Sequence, residues 1–325
     1  MVEVESGRAD SRVANETRSG MRTGAFVVVG IPAFNEEKTI ARVIVQSEEF
    51  ADAVIVCDDG STDFTTRIAR GLGAEVIRHE SNMGYGAAIQ SLFKRAKETK
   101  ADVFVTLDAD DQHEPSEIPR VIEPILKGKA DVVIGSRFSG SNTNSTIAWY
   151  RRAGIRFLTK LTNGRASNGE VKDAQCGFRA YSAKSLERLA LSENGMGVSA
   201  EILIKSRKEG LRVSEVACSC KYAVDGVNTS THNPVIHGAS VTASIVRLLI
   251  EDKPLSMLGI PALVFLGIGT IFGIWMLQIY AIEHHIVTNI ALASAAFILI
   301  GFFMLSTGIT LYAISRLAER TYSKR

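Results

Sequence analysis

Three acidic segments dominate the polar chemistry of this sequence. Ile31-Pro32-Ala33-Phe34-Asn35-Glu36-Glu37 follows one β-branched run, and Asp58-Asp59-Gly60-Ser61-Thr62-Asp63 follows the next. Asp, Ser and Thr in such places can simply cap the following helix by accepting from its free backbone N–H groups, and that reading suits Thr62 and Asp63. Adjacent Asp58 and Asp59 ask for more, because neighbouring like charges are unfavourable unless a ligand's donors or a cation offset them. The third segment is Leu107-Asp108-Ala109-Asp110-Asp111-Gln112-His113-Glu114-Pro115. A backbone extended through its first positions directs Asp108 and Asp110 to the same side. Paired carboxylates suit a hard cation, Mg2+ or Mn2+, which takes one or two protein carboxylates and completes its shell with water and substrate phosphates. A nucleoside diphosphate is the expected third party, and Gln112 can add an oxygen. The plain alternative is a solvated acidic turn.

Other nucleotide-binding patterns are missing from the sequence: there is no G-x-x-x-x-G-K-[ST] loop and no G-x-G-x-x-G after a strand. Asn82-Met83-Gly84-Tyr85-Gly86-Ala87-Ala88 is glycine-rich but alone says little. With 37 Lys and Arg against 35 Asp and Glu in 325 residues, the chain has no charge excess to hold nucleic acid. Its four cysteines do not form a disulfide framework, and Cys218 and Cys220 lack the second ligand pair of a zinc site.

The elements that must position these residues alternate. Strands are expected at Phe26 to Ile31, Ala53 to Cys57, Glu75 to Arg78, Val103 to Leu107 and Val132 to Ile134, with helices over Glu36 to Gln46, Asp63 to Leu72 and Tyr85 to Thr99. Such alternation predicts an α/β fold with a largely parallel sheet and a ligand site beyond the carboxyl ends of the strands. The acidic segments fall there.

Mean hydropathy is +0.11 although the first two hundred residues look ordinary. The apolar excess lies in two uncharged stretches, Leu255 to about Ala281 and Ile286 to Ile314, each longer than the ~20 residues that cross a bilayer. A transmembrane hairpin is expected, with buried core helices as the alternative. Lys253 precedes it and Arg316, Arg320, Lys324 and Arg325 follow it, which predicts an integral membrane protein with both outer ends and the large N-terminal part cytosolic. The expected organisation is a flexible tail over 1–23, a catalytic domain over 24–235, an amphipathic helix over 236–253 that lies on the membrane or packs on protein, and the hairpin with its basic C-terminus over 254–325.

The ordered set IPAFNEE, DDGSTD, NMGYGAA, DADDQHEP, GSRF and DAQCGFRAY resembles the family 2 glycosyltransferases of the GT-A fold, a Rossmann-like architecture. The resemblance is closest to their polyprenyl-phosphate branch, which includes dolichyl-phosphate mannose and glucose synthases, and it spans about Ala25 to Gly226. It implies that Pro32, Asn35, Glu36, Glu37, Asp58, Asp59, Gly86, Asp108 and Ala109 line the nucleotide-sugar site, and that Asp108, Asp110 and Gln112 hold Mg2+ or Mn2+. It implies Asp110, Arg137 and Asp173 as the reacting centre, with Arg137 towards the acceptor phosphate; Asp173 matches a base of hydroxyl-using relatives, and Glu201 also falls in a family-like segment. The Q-x-x-R-W element of processive polysaccharide synthases is missing, and 222–234 differs from the R-x-G-x-SK segment of mannose synthases.

The implied reaction is a single in-line displacement that moves one sugar from a UDP- or GDP-sugar to dolichyl or another polyprenyl phosphate. A phosphate monoester with a second pKa near ~6 is mostly dianionic at neutral pH, so it needs no strong base. It needs a cationic seat, best made of guanidinium forks. Arg137 is one candidate, and Arg151 with Arg152 another, in a segment (147–163) whose interleaved aromatic and basic residues suit lipid headgroups or a protein surface. The competing readings are transfer to another lipid or glycan, and a membrane scaffold without activity.

Overall fold

The structure, a computed structural model, describes residues 24–137, 171–220, 242–244, 246–251 and 253–322. The chain divides into two compact units, Met1–Thr229 and Ser230–Arg325. The first carries a seven-stranded sheet. Its strands are β1 (Val27–Ala33), β2 (Ala53–Asp58), β3 (Glu75–Arg78), β4 (Val103–Thr106), β5 (Val132–Ser136), β6 (Arg179–Ser182) and β7 (Val213–Ala217), ordered β3-β2-β1-β4-β6-β5-β7. All neighbours pair parallel except β6, which is antiparallel to both β4 and β5. The helices of this unit are α1 (Ile40–Ser47), α2 (Thr65–Gly71), α3 (Tyr85–Glu98), α4 (Ile118–Leu126), α5 (Ala183–Arg188) and α6 (Val198–Lys208).

β1 (VVVGIPA) is buried along its whole length, as a central parallel strand covered on both faces must be. Val27, Val29 and Ile31 pack with Ile40, Val43, Val121 and Ile122 on one face, and Val28 packs with Leu92, Phe93, Phe104 and Tyr181 on the other. Gly30 is small for a reason, since a Cβ there would meet the Phe104 ring at 2.6 Å. Helix α3 buries Ala88, Ile89, Leu92, Phe93 and Ala96, an apolar stripe at helical spacing.

The first helix starts later than its periodicity predicts. Asn35 adopts a left-handed φ of 56°, and the Glu36 and Glu37 amides donate to Thr65 Oγ1 and Asp63 Oδ2 rather than lying in a helical turn. Five elements escaped the sequence pattern: the strands β6 and β7 and the helices α4, α5 and α6.

In the second unit, a single π turn (Leu255–Gly259) leads into α7 (Ile260–Glu283), and α8 runs over Thr288–Tyr322. His284, at φ 53°, turns the chain between them. Two apolar stretches, Leu255–Glu283 and Thr288–Leu317, are long enough to cross a membrane; α7 alone is ~36 Å long at 1.5 Å per residue. Their apolar side chains mostly face outward, with Leu263, Ile271, Leu292 and Phe303 each more than 60% exposed, which is unlike a soluble core helix. The helices approach through small residues: a Cβ on Gly269 would lie 2.7 Å from Ile298, and Ser294 Oγ donates to the Gly269 carbonyl at 2.8 Å. Residues 242–244 and 246–251 are helical, as the amphipathic pattern predicts. The N-terminal tail, the segment with Arg151 and Arg152, and 222–234 lie outside the described residues.

Candidate active site

The loops after β1 and β2 are laced together. Asn35 N donates to Ser61 Oγ (2.8 Å), Thr62 N to Asn35 Oδ1 (2.9 Å) and Phe64 N to Glu37 Oε2 (3.1 Å). Asn35 and Glu37 therefore hold the edge of the site in shape, and Pro32 sits buried in β1 beneath it. Asp63 Oδ1 accepts from Thr65 N at 2.9 Å, the helix-start bonding expected of it. Glu36 is partly buried, and desolvation pushes its carboxyl above the ordinary range, with Thr39 opposing and the charges of Asp63 and Asp108 adding to the rise.

Asp58 and Asp59 correct one expectation: the protein itself offsets both charges. Asp58 is completely buried and turned inward, accepting from Ser61 N (2.9 Å) and Thr66 Oγ1, with Arg78 Nε 3.7 Å away. It shapes the turn. Asp59, 3% exposed, accepts from Met83 N (2.9 Å), Gly84 N (2.8 Å) and His79 Nδ1 (2.7 Å), so it ties the β2 turn to the glycine-rich segment. His79, just past β3, was not singled out by sequence; its position at a strand end was the available signal.

Gly86 is a second correction. Its N–H donates to the Asn194 carbonyl at 2.8 Å, and a Cβ there would lie 2.1 Å from the Glu193 carbonyl oxygen. Gly86 serves close packing of α3 against 193–195, and its amide is engaged with protein rather than open to phosphate. Glu201 organises that segment: it is buried and accepts from Ser192 N (2.8 Å), Ser192 Oγ (2.6 Å), Glu193 N (3.0 Å) and Lys205 Nζ (2.7 Å). Desolvation opposes ionisation there, but Lys205 and Ser192 outweigh it and hold the carboxyl below its usual value. It is no exposed helix glutamate.

Beyond β4 the backbone is not extended as expected, because Ala109 and Asp110 form a turn and Asp111 has φ 58°. The turn still groups the carboxylates. Asp110 is pushed up to about 7, first by burial and then by the charge of Asp108, while the Gln112 N–H (3.1 Å) and His113 oppose the rise. Ala109 is buried beneath them. Asp111 Oδ2 pairs with Arg42 Nη1 at 3.0 Å, and its Oδ1 is buried without a hydrogen-bond partner. Gln112 Oε1 lies 3.8 Å from Cys220 Sγ. Asp108 Oδ1 accepts from the Tyr85 hydroxyl at 2.9 Å, and its Oδ2 lies against Gly177, where a Cβ would sit 2.3 Å away. Tyr85 lies in NMGYGAA and Gly177 in DAQCGFRAY, where residue type alone does not reveal these contacts.

Among the described residues no three His, Cys, Asp or Glu side chains gather as a ready metal cage. What they offer is a carboxylate pair in which burial first and the charge of Asp108 second lift Asp110 to about 7, and a divalent cation relieves the repulsion between the two. Two carboxylates plus a diphosphate is the donor set a Mg2+-like ion accepts. The residues fit such an ion.

Arg137 follows β5. Its Nε and Nη2 donate to Asp173 Oδ2 and Oδ1 at 2.6 and 2.8 Å, and its amide donates to Oδ2 at 3.2 Å. Asp173 is fully buried, and its own amide and that of Lys172 donate to Glu215 Oε1. Both oxygens of Asp173 thus face one guanidinium, so the arginine it orients is Arg137. Arg179 is core, with three nitrogens on the carbonyls of Cys176, Ser199 and Ala174.

Comparisons with known proteins identify the family and the fold. Residues 28–190, half of the chain, match the glycosyl transferase family 2 description. The UDP-N-acetylglucosamine–dolichyl-phosphate N-acetylglucosaminyltransferase of Methanococcus voltae is 34% identical over 59% of this chain and 84% of its own length. A dolichyl-phosphate hexose transferase of Haloferax volcanii is 32% identical over 70% of this chain and 94% of its own. Glucosyl-3-phosphoglycerate synthase of Mycobacterium tuberculosis, crystallised with Mn2+ and UDP-glucose, shares the fold with a TM-score of 0.53 at 24% identity, covering 71% of this chain and 83% of that one. By its matched residues and its relatives, the chain is a member of glycosyl transferase family 2.

Proposed function

We propose that this enzyme moves one sugar from a nucleotide-sugar to a polyprenyl phosphate such as dolichyl phosphate, supplying lipid-linked sugar on the cytosolic face of a membrane it spans twice. The observation that carries the reading is the convergence of Glu36, Asp108 and Asp110 at the carboxyl edge of the sheet, in a chain that also carries an apolar hairpin. Relatives named for dolichyl-phosphate transfer support the acceptor.

In this reading Pro32, Asn35, Glu37 and Asp59 frame the base and ribose, with Glu36 facing the carboxylate pair. Asp108 and Asp110, with Gln112 beside them, would hold Mg2+ or Mn2+; when bound, the ion supplies Lewis-acid neutralisation of the departing diphosphate. Arg137 aims the acceptor phosphate from its bidentate seat on Asp173, which fixes the guanidinium plane. A dianionic phosphate attacks without a protein base, so the pairing of Asp173 with Arg137 costs the reaction nothing. Arg151 and Arg152 are proposed to meet the same phosphate, and positive flanks around the hairpin favour a cytosolic catalytic unit.

The test is transfer of radiolabel from UDP- and GDP-sugars into the organic phase by purified full-length protein with dolichyl phosphate and Mn2+. Label from one donor that disappears in Asp110→Asn, with unchanged melting, is the expected result. Label from a donor that enters water-soluble glycan instead would redirect the acceptor, and equal transfer by Asp110→Asn would refute the metal role.

A further inference from the structure

Tyr85 is the first residue of α3, and its backbone has little freedom. On one side Gly84 N donates to Asp59 Oδ2 at 2.8 Å. On the other, Gly86 N and Ala87 N converge on the Asn194 carbonyl at 2.8 and 3.2 Å, while Gln90 Nε2 donates to the Glu193 carbonyl and to Asn194 Oδ1, each at 3.0 Å. Glu201 in turn holds Ser192 and Glu193. The helix start is thus clamped between the β2 turn and the segment before α6.

From that clamp the phenol reaches across to Asp108 Oδ1 at 2.9 Å, beside a small cavity of about 10 Å³ lined with Thr106, Gly177, Arg179 and Tyr181 among others. Gly177 closes the opposite side of the same carboxylate. An apolar helix stripe explains Ala88, Ile89, Leu92 and Phe93, yet a Phe would fill the place of Tyr85 equally well if packing were its only task. The hydroxyl has one partner among the described hydrogen bonds, and that partner is the first carboxylate of the proposed cation pair.

We propose that Tyr85 is a positioning residue whose O–H, opposite the close contact with Gly177, fixes the rotation of the Asp108 carboxylate so that it meets a divalent cation in one orientation. The inference rests on Asp108 being a cation ligand. Hydrogen bonds from outer groups to ligating carboxylates typically alter metal affinity ~10–100-fold when removed.

The experiment titrates Mn2+ into full-length protein in detergent with UDP present and reads free Mn2+ by electron paramagnetic resonance. Tyr85→Phe removes one oxygen, and its melting temperature is recorded alongside. The expected result is Mn2+ affinity weakened ~10–100-fold with unchanged melting, and transfer that recovers at raised Mn2+. Mn2+ affinity within twofold of the native protein would overturn the proposal. Asp110→Asn separates two failures: if it loses Mn2+ while Tyr85→Phe does not, only the task given to Tyr85 is wrong. If Asp110→Asn also binds Mn2+ normally, the cation site itself is wrong.

Discussion

Replacing Gly177 with alanine perturbs the centre of the site by a single methyl group. A Cβ built there lies 2.3 Å from Asp108 Oδ2, 2.7 Å from Oδ1 and 2.8 Å from Cγ. Ordinary contact begins at 3.4 Å, so in a close-packed interior the carboxylate must shift by about 1 Å. Thr106 Oγ1 donates to the Gly177 carbonyl at 2.7 Å and resists a retreat of this segment ahead of β6. Gly177 has no left-handed φ, so backbone strain adds nothing and the effect is one of space. Overpacking of this kind costs about 1–3 kcal/mol, and a catalytic group displaced by 1 Å costs ~100-fold in rate. Label transfer, Mn2+ titration and thermal melting on Gly177→Ala should therefore show a modest loss of stability and a large loss of turnover. Gly71→Ala at the end of α2, where a Cβ meets nothing within 4 Å, is the matched control and should be neutral or slightly stabilising. Transfer by Gly177→Ala within threefold of native, with Mn2+ affinity unchanged, would refute the argument that Gly177 and Asp108 are fitted to each other.

Further outcomes are expected from the same geometry. Asp110 is raised to about 7, by burial first and Asp108 second, so below that pH a cation must displace a proton. Mn2+ affinity should fall roughly tenfold per pH unit below 7 and level off above it, and a flat titration from pH 5.5 to 7 would contradict this. The same shift has the opposite sign for the metal-free fold: the native carboxyl holds its proton up to about 7 while the unfolded one releases it near ~4, so this group's contribution to stability declines as pH rises between those values. Arg137→Ala should impair use of the lipid phosphate more than donor binding, and Asp173→Asn should do the same by loosening the guanidinium. Because removing one member strands a buried charge at a cost of about 3–5 kcal/mol, the double variant should melt above Arg137→Ala, and additive losses in a double-mutant cycle would show the two residues to be independent.

The sequence revealed most of what periodicity governs. β3 begins and ends where the β-branched run does, and β1, β2, β4 and β5 shift by only a residue or two. The late start of α1 was hidden because Glu36 and Glu37 bond across to Thr65 and Asp63, which no local pattern records. β6 (RAYS) is short and holds a buried arginine and tyrosine in place of an apolar run, so it carried no strand pattern. In the site, the acidic motifs announced where ligands would gather, but residue type did not reveal who faces inward. Asp58 and Asp59 are adjacent and alike in sequence, yet one is sealed beneath the turn and the other braces the glycine-rich segment. The partners of Asp173 were equally invisible, because Arg137 reaches it across 36 positions of chain.

The antiparallel insertion of β6 also dictates an order of assembly. β5 is synthesised first, but its neighbours β6 and β7 both come later, and β4 has no partner on that side until β6 arrives. As the chain emerges, β1 to β4 can form a local sheet with one edge bare, and β5 must wait. The strand that closes this gap brings Gly177 up against Asp108 and carries the buried fork of Arg179 into place. Joining of β5 to β4 and closure of the carboxylate site are therefore one event, and a nascent chain halted before Gly177 has neither.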